Sequence, residues 1–577
     1  MVCNLIRYGY NCGMILSDNK ISPRLAAFLL LLLLSTLTAL RVGQEVRQFA
    51  HYPPDFDEAV HLLPIVQVAN ALQRGDLAAF WQATNEQDQL AAYPFAHSWL
   101  SAPVWLVRPG ITPQRWFNLL LVVASILVAF TIGHRLASTR RWLAGLVSGG
   151  LILASLPIWL FGSLVYLEGA GLLITLFTIY SYTRAEEGET SWLIATSVAV
   201  AAAFLTKYNF GLFLIGAIAL NELVGWLLRG FSQLPWQRWL RLGLPAAIIA
   251  LLWFAAPGRL DRFLGYSRAQ QGHYTIGEWA SWLYYPQSFY DHYLAGPAAL
   301  LPVLGGLILA LIWWRDGRYR LILLYTLVSW LFLLLVPQKV PRFLYTTAAA
   351  LLLLGGPFAA WLYEQVAGYG RRVRQLALLL VLAWAIWGGA AIRHQFSYLN
   401  PALDVAFDSV PDAAVGYNWI SERTLAHGQR VMILNGYHLF SAYALQWQHY
   451  RNQGLPKVPL DFTIARTQLA PEPTPANLEA LLASWRAQGI AYVVSIDGSP
   501  AGLHTGWTVV EPLVSQGYLE LVDSSGPLTQ RNWDAHYRER TIAAYFASWE
   551  EWEQFRQERP GTYEIRLHLY RLNWENR

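Results

Sequence analysis

Three carboxylates stand together early in the chain, in the run Pro53-Pro54-Asp55-Phe56-Asp57-Glu58. A carboxylate facing a cavity can take the proton of an attacking hydroxyl or amine. It can also ligate a metal ion, and Asp57 and His61, four apart on one predicted helix face, are the candidate pair. No third ligand has convincing spacing: His97, His273 and His292 are scattered through other loops. A local reading competes, because Asp at a helix N-cap followed by Glu in the first turn is ordinary.

Glu168 lies at the end of an apolar run, in Leu164-Val165-Tyr166-Leu167-Glu168-Gly169-Ala170-Gly171. A charge within a membrane helix costs roughly 2.5–3.5 kcal/mol. Glu168 must therefore face a polar cavity or pair with a cation. Two cationic turns are candidates for binding an anion, with phosphate the natural one. One is Leu205-Thr206-Lys207-Tyr208; the other runs from Lys339 through Arg342 to Tyr345. The competing reading is that these cations anchor to lipid headgroups.

The elements that must hold these residues are membrane spans. The chain has 577 residues, 55% hydrophobic and only 14% charged, whereas soluble domains carry about 25% charge. Apolar runs of spanning length recur. We read about eleven spans, near 23–42, 115–135, 142–160, 163–182, 191–206, 208–228, 239–256, 293–314, 319–336, 343–363 and 374–392. With residues 1–22 as a cytoplasmic tail, in which Met14 is an alternative start, four arginine clusters fall on the cytoplasmic side. They are Arg135/Arg140/Arg141, Arg229/Arg238/Arg241, Arg315/Arg318/Arg320 and Arg371/Arg372/Arg374. Of four lysines, Lys207 and Lys339 lie against that bias, at the outer face.

Two outer loops are long, 43–114 and 257–292. The first contains an amphipathic stretch, Ala59 to Gln73, suited to lying on the membrane surface. The second is rich in aromatics (Tyr266, Tyr274, Trp279, Trp282, Tyr284, Tyr285, Phe289, Tyr290) and reads as an interfacial segment. After Ile392 polar residues rise and no spanning run remains. Strand-like runs at 431–434, 491–496, 519–522 and 563–572, with helical patterns at 415–427 and 477–488, predict an extracytoplasmic α/β domain over 393–577. Pro456 to Pro475 is a predicted loop within it. Asn435-Gly436-Tyr437-His438 follows a predicted strand and could line a crevice, though a plain strand–helix turn is the simpler reading.

The formal charge of +5 is spread along the chain and argues against nucleic-acid binding. Both cysteines, Cys3 and Cys12, lie in the first dozen residues, so no disulfide framework exists elsewhere. There is no N-x-Ser/Thr sequon, which favours a bacterial plasma membrane.

Four of these places together resemble glycosyltransferases of the GT-C type, in the bacterial branch of protein O-mannosyltransferases and aminoarabinose transferases. Phe56-Asp57-Glu58 is similar to the acidic motif of the first outer loop. Ala92-Tyr93-Pro94-Phe95-Ala96-His97 resembles the aromatic-proline segment that follows it. Leu205-Thr206-Lys207-Tyr208 resembles the Leu-Thr-Lys turn, and Lys339 to Tyr345 the basic-aromatic turn late in the bundle. The resemblance spans about 23 to 363. It departs from the pattern where Glu stands at the commonly Asp position 168, and where Arg342-Phe343 replaces an Arg-Tyr pair.

The resemblance implies inverting transfer of a sugar from a polyprenyl-phosphate donor, on the outer face, to a protein, lipid or glycan acceptor. Asp57 would be the catalytic carboxylate with Glu58 beside it, and Glu168 the second acid. Lys207, Lys339, Arg342 and Tyr345 would bind the donor phosphate. The resemblance fixes no cofactor, and a divalent metal is possible, with Asp57 and His61 as weak candidates. A transporter or lipid-handling protein is the alternative, disfavoured because the charges cluster at span ends rather than at mid-membrane. A receptor would need a larger cytoplasmic output element than the short loops provide.

Overall fold

The computed structural model describes residues 22–50, 52–54, 56–91, 93–230, 235–261, 263–264, 277–336, 339–399, 412–434, 440–453, 465–468, 475–497, 505–531 and 562–574. The N-terminal tail, Asp55, Ala92, Tyr266, His273, Tyr274 and the Asn435–His438 turn, singled out above, lie outside the described residues.

The first part of the chain is a bundle of helices. They are α1 (Pro23–Gln48), α2 (Phe56–Gln73), α3 (Leu77–Ala91), α4 (Ala96–Val107), α5 (Ile111–Leu136), α6 (Arg141–Ala154), α7 (Leu156–Ser163), α8 (Glu168–Glu186), α9 (Trp192–Thr206), α10 (Tyr208–Leu228) and α11 (Trp236–Phe254). After the second long loop come α12 (Trp279–Ser288), α13 (Pro297–Ile312), α14 (Gly317–Leu335), α15 (Tyr345–Leu353), α16 (Gly355–Ala367) and α17 (Arg371–Ser397).

A helix stands at each predicted span. Among the described residues, five segments are long and apolar enough to cross a membrane: α1, α5, α10, α14 and Pro341–Ala367. The α6–α7 pair makes a sixth if its 62° bend is one broken span; α9 and α13 are apolar but shorter. The protein is a multi-pass membrane protein. The arginine-bearing ends of several helices meet in ion pairs. Arg135 and Arg318 both reach Glu187, and Arg238 reaches Glu186 and Glu222.

The break after α6 differs from the prediction, which ran one span unbroken through residue 160. Pro157 has no N–H to give the carbonyl of Leu153, so the helix cannot continue. The indole N–H of Trp159 donates to that carbonyl instead, at 2.8 Å. The chain turns through α7 and then leaves helical structure over residues 164–167 before α8 begins at Glu168.

Two loop expectations are corrected. The Ala59–Gln73 stretch is not a surface helix. In α2, Leu62, Leu63, Ile65, Val66, Val68 and Ala69 are all buried, so apolar residues cover the helix all round rather than one stripe. In the aromatic loop, Trp279 and Tyr290 are exposed, but Tyr284 and Tyr285 are buried core residues.

The C-terminal region forms α18 (Ala413–Arg423), β1 (Arg430–Leu434), α19 (Ala442–Asn452), β2 (Ala465–Gln468), α20 (Pro475–Ala487), β3 (Ile490–Asp497), α21 (Thr505–Ser515), β4 (Leu519–Ser524), β5 (Leu528–Arg531) and β6 (Thr562–Leu572). The strand order is β2-β1-β3-β6-β4, with β5 paired to β6. β1 lies parallel to β2 and β3, while β6 runs antiparallel to β3, β4 and β5. Alternation along β1 divides the core. Val431 and Ile433 face Tyr417, Ile420 and Leu445, while Met432 and Leu434 face Leu482, Trp485 and Leu513. β2 lies inside the predicted Pro456–Pro475 loop. At four residues, it is too short to announce itself against flanking prolines.

The two parts meet at α2. Trp447 and Tyr450 of α19 share an apolar cluster with Leu62, Leu63, Val66 and Ala69. That contact explains why α2 has no polar face: one side meets α3 and α4, the other the α/β unit.

Candidate active site

Asp57 and Glu58 are consecutive on α2 and therefore point about 100° apart. Glu58 turns inward. Arg115 of α5 donates to both its oxygens, Nε at 2.9 Å and Nη2 at 2.6 Å, and the backbone N–H of Val165 donates to Oε1 at 2.9 Å. Glu58 is fully buried and Arg115 nearly so. Glu58 thus ties α2 to α5 and to the 164–167 segment, with its oxygens turned to Arg115 and Val165. Asn118 Nδ2, one turn along α5, donates to the Leu164 carbonyl of that segment. These contacts set where Glu168 begins its helix.

Asp57 turns the other way, to Arg342. Arg342 Nη1 lies 2.6 Å from Asp57 Oδ2, and its Nε is 3.7 Å from Glu168 Oε1. Lys207 Nζ donates to the same Glu168 oxygen at 2.9 Å. Four segments far apart in the chain therefore converge: the start of α2, the start of α8, the α9–α10 junction, and the short 3-10 turn Pro341–Leu344 before α15. Two carboxylates face two cations, so their formal charges cancel. Lys207 can be at the junction because its backbone is extended (φ −156°, ψ 125°), which separates the two helices. Gly171 admits the neighbouring ring: a Cβ there would lie 2.0 Å from Phe210.

Aromatic rings line the cations. The Arg342 guanidinium lies 4.9 Å from the Tyr166 ring centre, and Lys207 Nζ is 5.5 Å and 5.6 Å from Phe210 and Phe343. Glu168 is only 3% exposed, whereas the Asp57 and Arg342 side chains keep 26% and 19%. The pair is thus reachable by a ligand. Arg342 Nε is buried, faces Glu168 and makes no hydrogen bond among the described residues.

Burial pushes the Asp57 carboxyl up, but the Arg342 guanidinium, with the Lys207 ammonium adding to it, outweighs it and holds it below the usual carboxylate range. Beside it, the rings of His61 and Tyr93 are 5.2 Å apart and those of His61 and His97 6.1 Å. Burial, with His97 adding to it, lowers His61 to about 3; burial lowers His97 to about 4. Both imidazoles are neutral at physiological pH, so neither is a switch there.

Lys339 and Tyr345 are not brought into this cluster. Lys339 Nζ donates to the carbonyls of Leu333 and Leu334 at 2.7 and 3.0 Å, capping the end of α14, and lies 5.5 Å from the Tyr285 ring. Tyr345 is wholly buried and donates to the Ile158 carbonyl of α7 at 2.8 Å. Sequence reading missed Arg115, Asn118 and Tyr166. The signal for the first two was present: polar residues at the start of an apolar span need an interior partner.

Lys339 supports a prediction. Burial lowers its pKa from 10.5 to about 8. Below about pH 8 the buried charge weighs against the folded state. That penalty fades as pH rises toward 10.5, where the unfolded chain would still hold the proton. Thermal stability should therefore gain with pH over this window, and Lys339→Met should lack the gain. Affinity for a polyprenyl phosphate should change less than about threefold, because the ammonium is committed to carbonyls. A large loss of affinity would return Lys339 to the phosphate site.

No protein-family model matches the chain, and no curated protein matches it. Solved structures do. ArnT from Cupriavidus metallidurans bound to undecaprenyl phosphate matches with a TM-score of 0.52 at 14% identity, over 85% of this chain and 96% of that one. The Archaeoglobus fulgidus oligosaccharyltransferase AglB, in complex with an inhibitory peptide and a dolichol-phosphate, matches at 0.53 and 11% identity, over 89% and 74%. The A. fulgidus oligosaccharyltransferase in complex with Zn and sulfate matches at 0.53 and 11%, over 81% and 67%. This chain has the GT-C-like fold of membrane glycosyltransferases.

Proposed function

We propose that the protein transfers a sugar from a polyprenyl-phosphate donor, with inversion, at the outer face of a bacterial plasma membrane. The observation that carries this reading is the cluster of Asp57, Glu168, Lys207 and Arg342, charge-balanced and reachable at the Asp57–Arg342 pair. The likeness to structures holding undecaprenyl phosphate and dolichol-phosphate supports it.

The acceptor hydroxyl or amine attacks the anomeric carbon of the donor sugar. A bond forms from the acceptor oxygen or nitrogen to that carbon as the bond from carbon to phosphate oxygen breaks. The lipid phosphate leaves with the electron pair, and Asp57 takes the acceptor's proton. Arg342 and Lys207 stabilise the leaving phosphate. Without donor, both cations are spent on carboxylates. A phosphate that draws Arg342 away releases Asp57, and the base gains proton affinity when there is something to attack. Glu168 keeps the two cations together throughout.

A divalent metal does not fit the described residues. Among them no three His, Cys, Asp or Glu side chains are grouped to hold one, and Asp57 is already paired with Arg342. No step is routed through a metal, although a neighbour contains Zn and sulfate.

The test is binding of undecaprenyl phosphate to the purified full-length protein in nanodiscs. Lys207→Ala and Arg342→Ala should each weaken it about tenfold, the worth of one charge-assisted hydrogen bond. Absent binding in the wild type, or binding unchanged from the wild type in both variants, would overturn the phosphate site.

A further inference from the structure

Helix α4, in the first long loop, is built inside out. Its buried residues are His97, Ser98, Ser101, Ala102 and Trp105, and the first three are polar. Its exposed residues are Trp99, Leu100, Pro103, Leu106 and Val107, spaced i, i+1, i+4, i+7 and i+8. That spacing is one side of a helix, and none of these side chains is charged. A helix that turns its outer side to water has the reverse arrangement, with polar residues outward. Val107 is 88% exposed and Leu100 42%. A contiguous apolar side of this kind marks a contact surface.

The surroundings of α4 say what covers it. With 12 residues it is too short to span a bilayer core, which takes about 20. Only Arg108, Pro109 and Gly110 separate Val107 from Ile111, the first residue of α5, and α5 is long and apolar enough to cross a membrane. Val107 therefore stands at the level where a span begins. At the other end, the Phe95 ring meets Trp99 of α4 and Trp253 of α11, with ring centres 4.2 and 5.2 Å apart. Beside Trp253, within a predicted span, Leu251 and Leu252 are each 70% exposed. An aromatic bridge thus joins the outward side of α4 to a helix end that also turns apolar residues out. Trp99 donates its indole N–H to Thr84 Oγ1 at 2.9 Å, so its polar atom is satisfied while the ring remains 38% exposed. Tryptophan is enriched at the membrane–water boundary.

We propose that the outward side of α4 is a membrane-docking surface, seated where headgroups meet acyl chains in the leaflet in which α5 begins. The surface role that sequence reading gave to Ala59–Gln73 then falls to α4. It also makes α4 a wall with lipid on one side and the surroundings of the charged cluster on the other. On its buried side the His97 ring lies 6.1 Å from that of His61, one turn along α2 from Asp57. The docking follows from burial and position, and it stands whether or not the cluster transfers a sugar.

The test is spin labelling of the full-length protein in nanodiscs of phosphatidylcholine and phosphatidylglycerol. The chain's two cysteines are removed (Cys3→Ser, Cys12→Ser). Single labels are then introduced by Leu100→Cys and Val107→Cys, both at exposed side chains. Leu251→Cys on α11 is the lipid reference, and Glu511→Cys, exposed on α21, the water reference. Labels at positions 100 and 107 should collide with dissolved oxygen as the lipid reference does. They should lose the collisions with a water-soluble nickel complex that the water reference shows. Nickel collisions equal to those at position 511 would mean that water covers this side, and would overturn the proposal. Shielding from both reagents would mean that a second copy of the chain covers it, and would overturn it as well.

Discussion

Asp57→Asn is expected to lower turnover by about 10² to 10⁴, the usual contribution of a positioned proton acceptor. The substitution keeps the side chain's shape and removes only its charge and its basicity. Arg342 loses its 2.6 Å partner, so the cluster is left with one net positive charge, but Arg342 stays near Glu168 and its side chain keeps 19% exposure to solvent. Two consequences run in opposite directions. Transfer collapses, while affinity for undecaprenyl phosphate holds or rises, because Arg342 no longer has to leave a carboxylate to meet the phosphate. A variant impaired merely in folding would lose both. Single-turnover kinetics alongside donor binding make the distinction, and near-normal transfer by Asp57→Asn would remove Asp57 as the base.

The neighbouring residue should behave in another way. Glu58→Ala leaves Arg115 buried without its anion, and breaking a buried pair from one side costs about 3–5 kcal/mol. It also removes the acceptor for the Val165 N–H, which holds the segment leading to Glu168. The expected result is a large drop in thermal stability in detergent, with turnover lost in proportion to unfolded protein. Glu58→Gln keeps the acceptor for Val165 and should be milder. Replacing both partners, Glu58→Met with Arg115→Met, should recover much of the stability, because no lone charge remains. A Glu58→Ala protein with wild-type stability and abolished transfer would instead make Glu58 a reacting group. Asp57 and Glu58 are thus one residue apart, yet one is expected to govern chemistry and the other the scaffold.

The class of molecule was legible before any coordinates. Long apolar runs must become helices because unsatisfied backbone groups are not tolerated in lipid. Charges at the ends of such runs must find partners, which marked Asp57, Glu168, Lys207 and Arg342 in advance. Four strands of the α/β unit, β1, β3, β4 and β6, were legible for a similar local reason, since alternation along β1 and β3 reports a two-faced sheet, whereas the four-residue β2 and β5 were not.

Which charge meets which was not legible. Asp57 and Glu58 have the same chemistry and almost the same position, and a 100° step around α2 sends one to Arg342 and the other to Arg115. Lys339 and Arg342 are three apart in one turn, yet one caps α14 and the other enters the cluster. The burial of α2 on both sides also depended on α19, about 400 residues further along the chain. Local pattern dictates hydrogen bonding along the backbone and the cost of each buried charge. Pairing is set by the direction of side chains and by contacts between distant segments, and these exist only once the helices have packed.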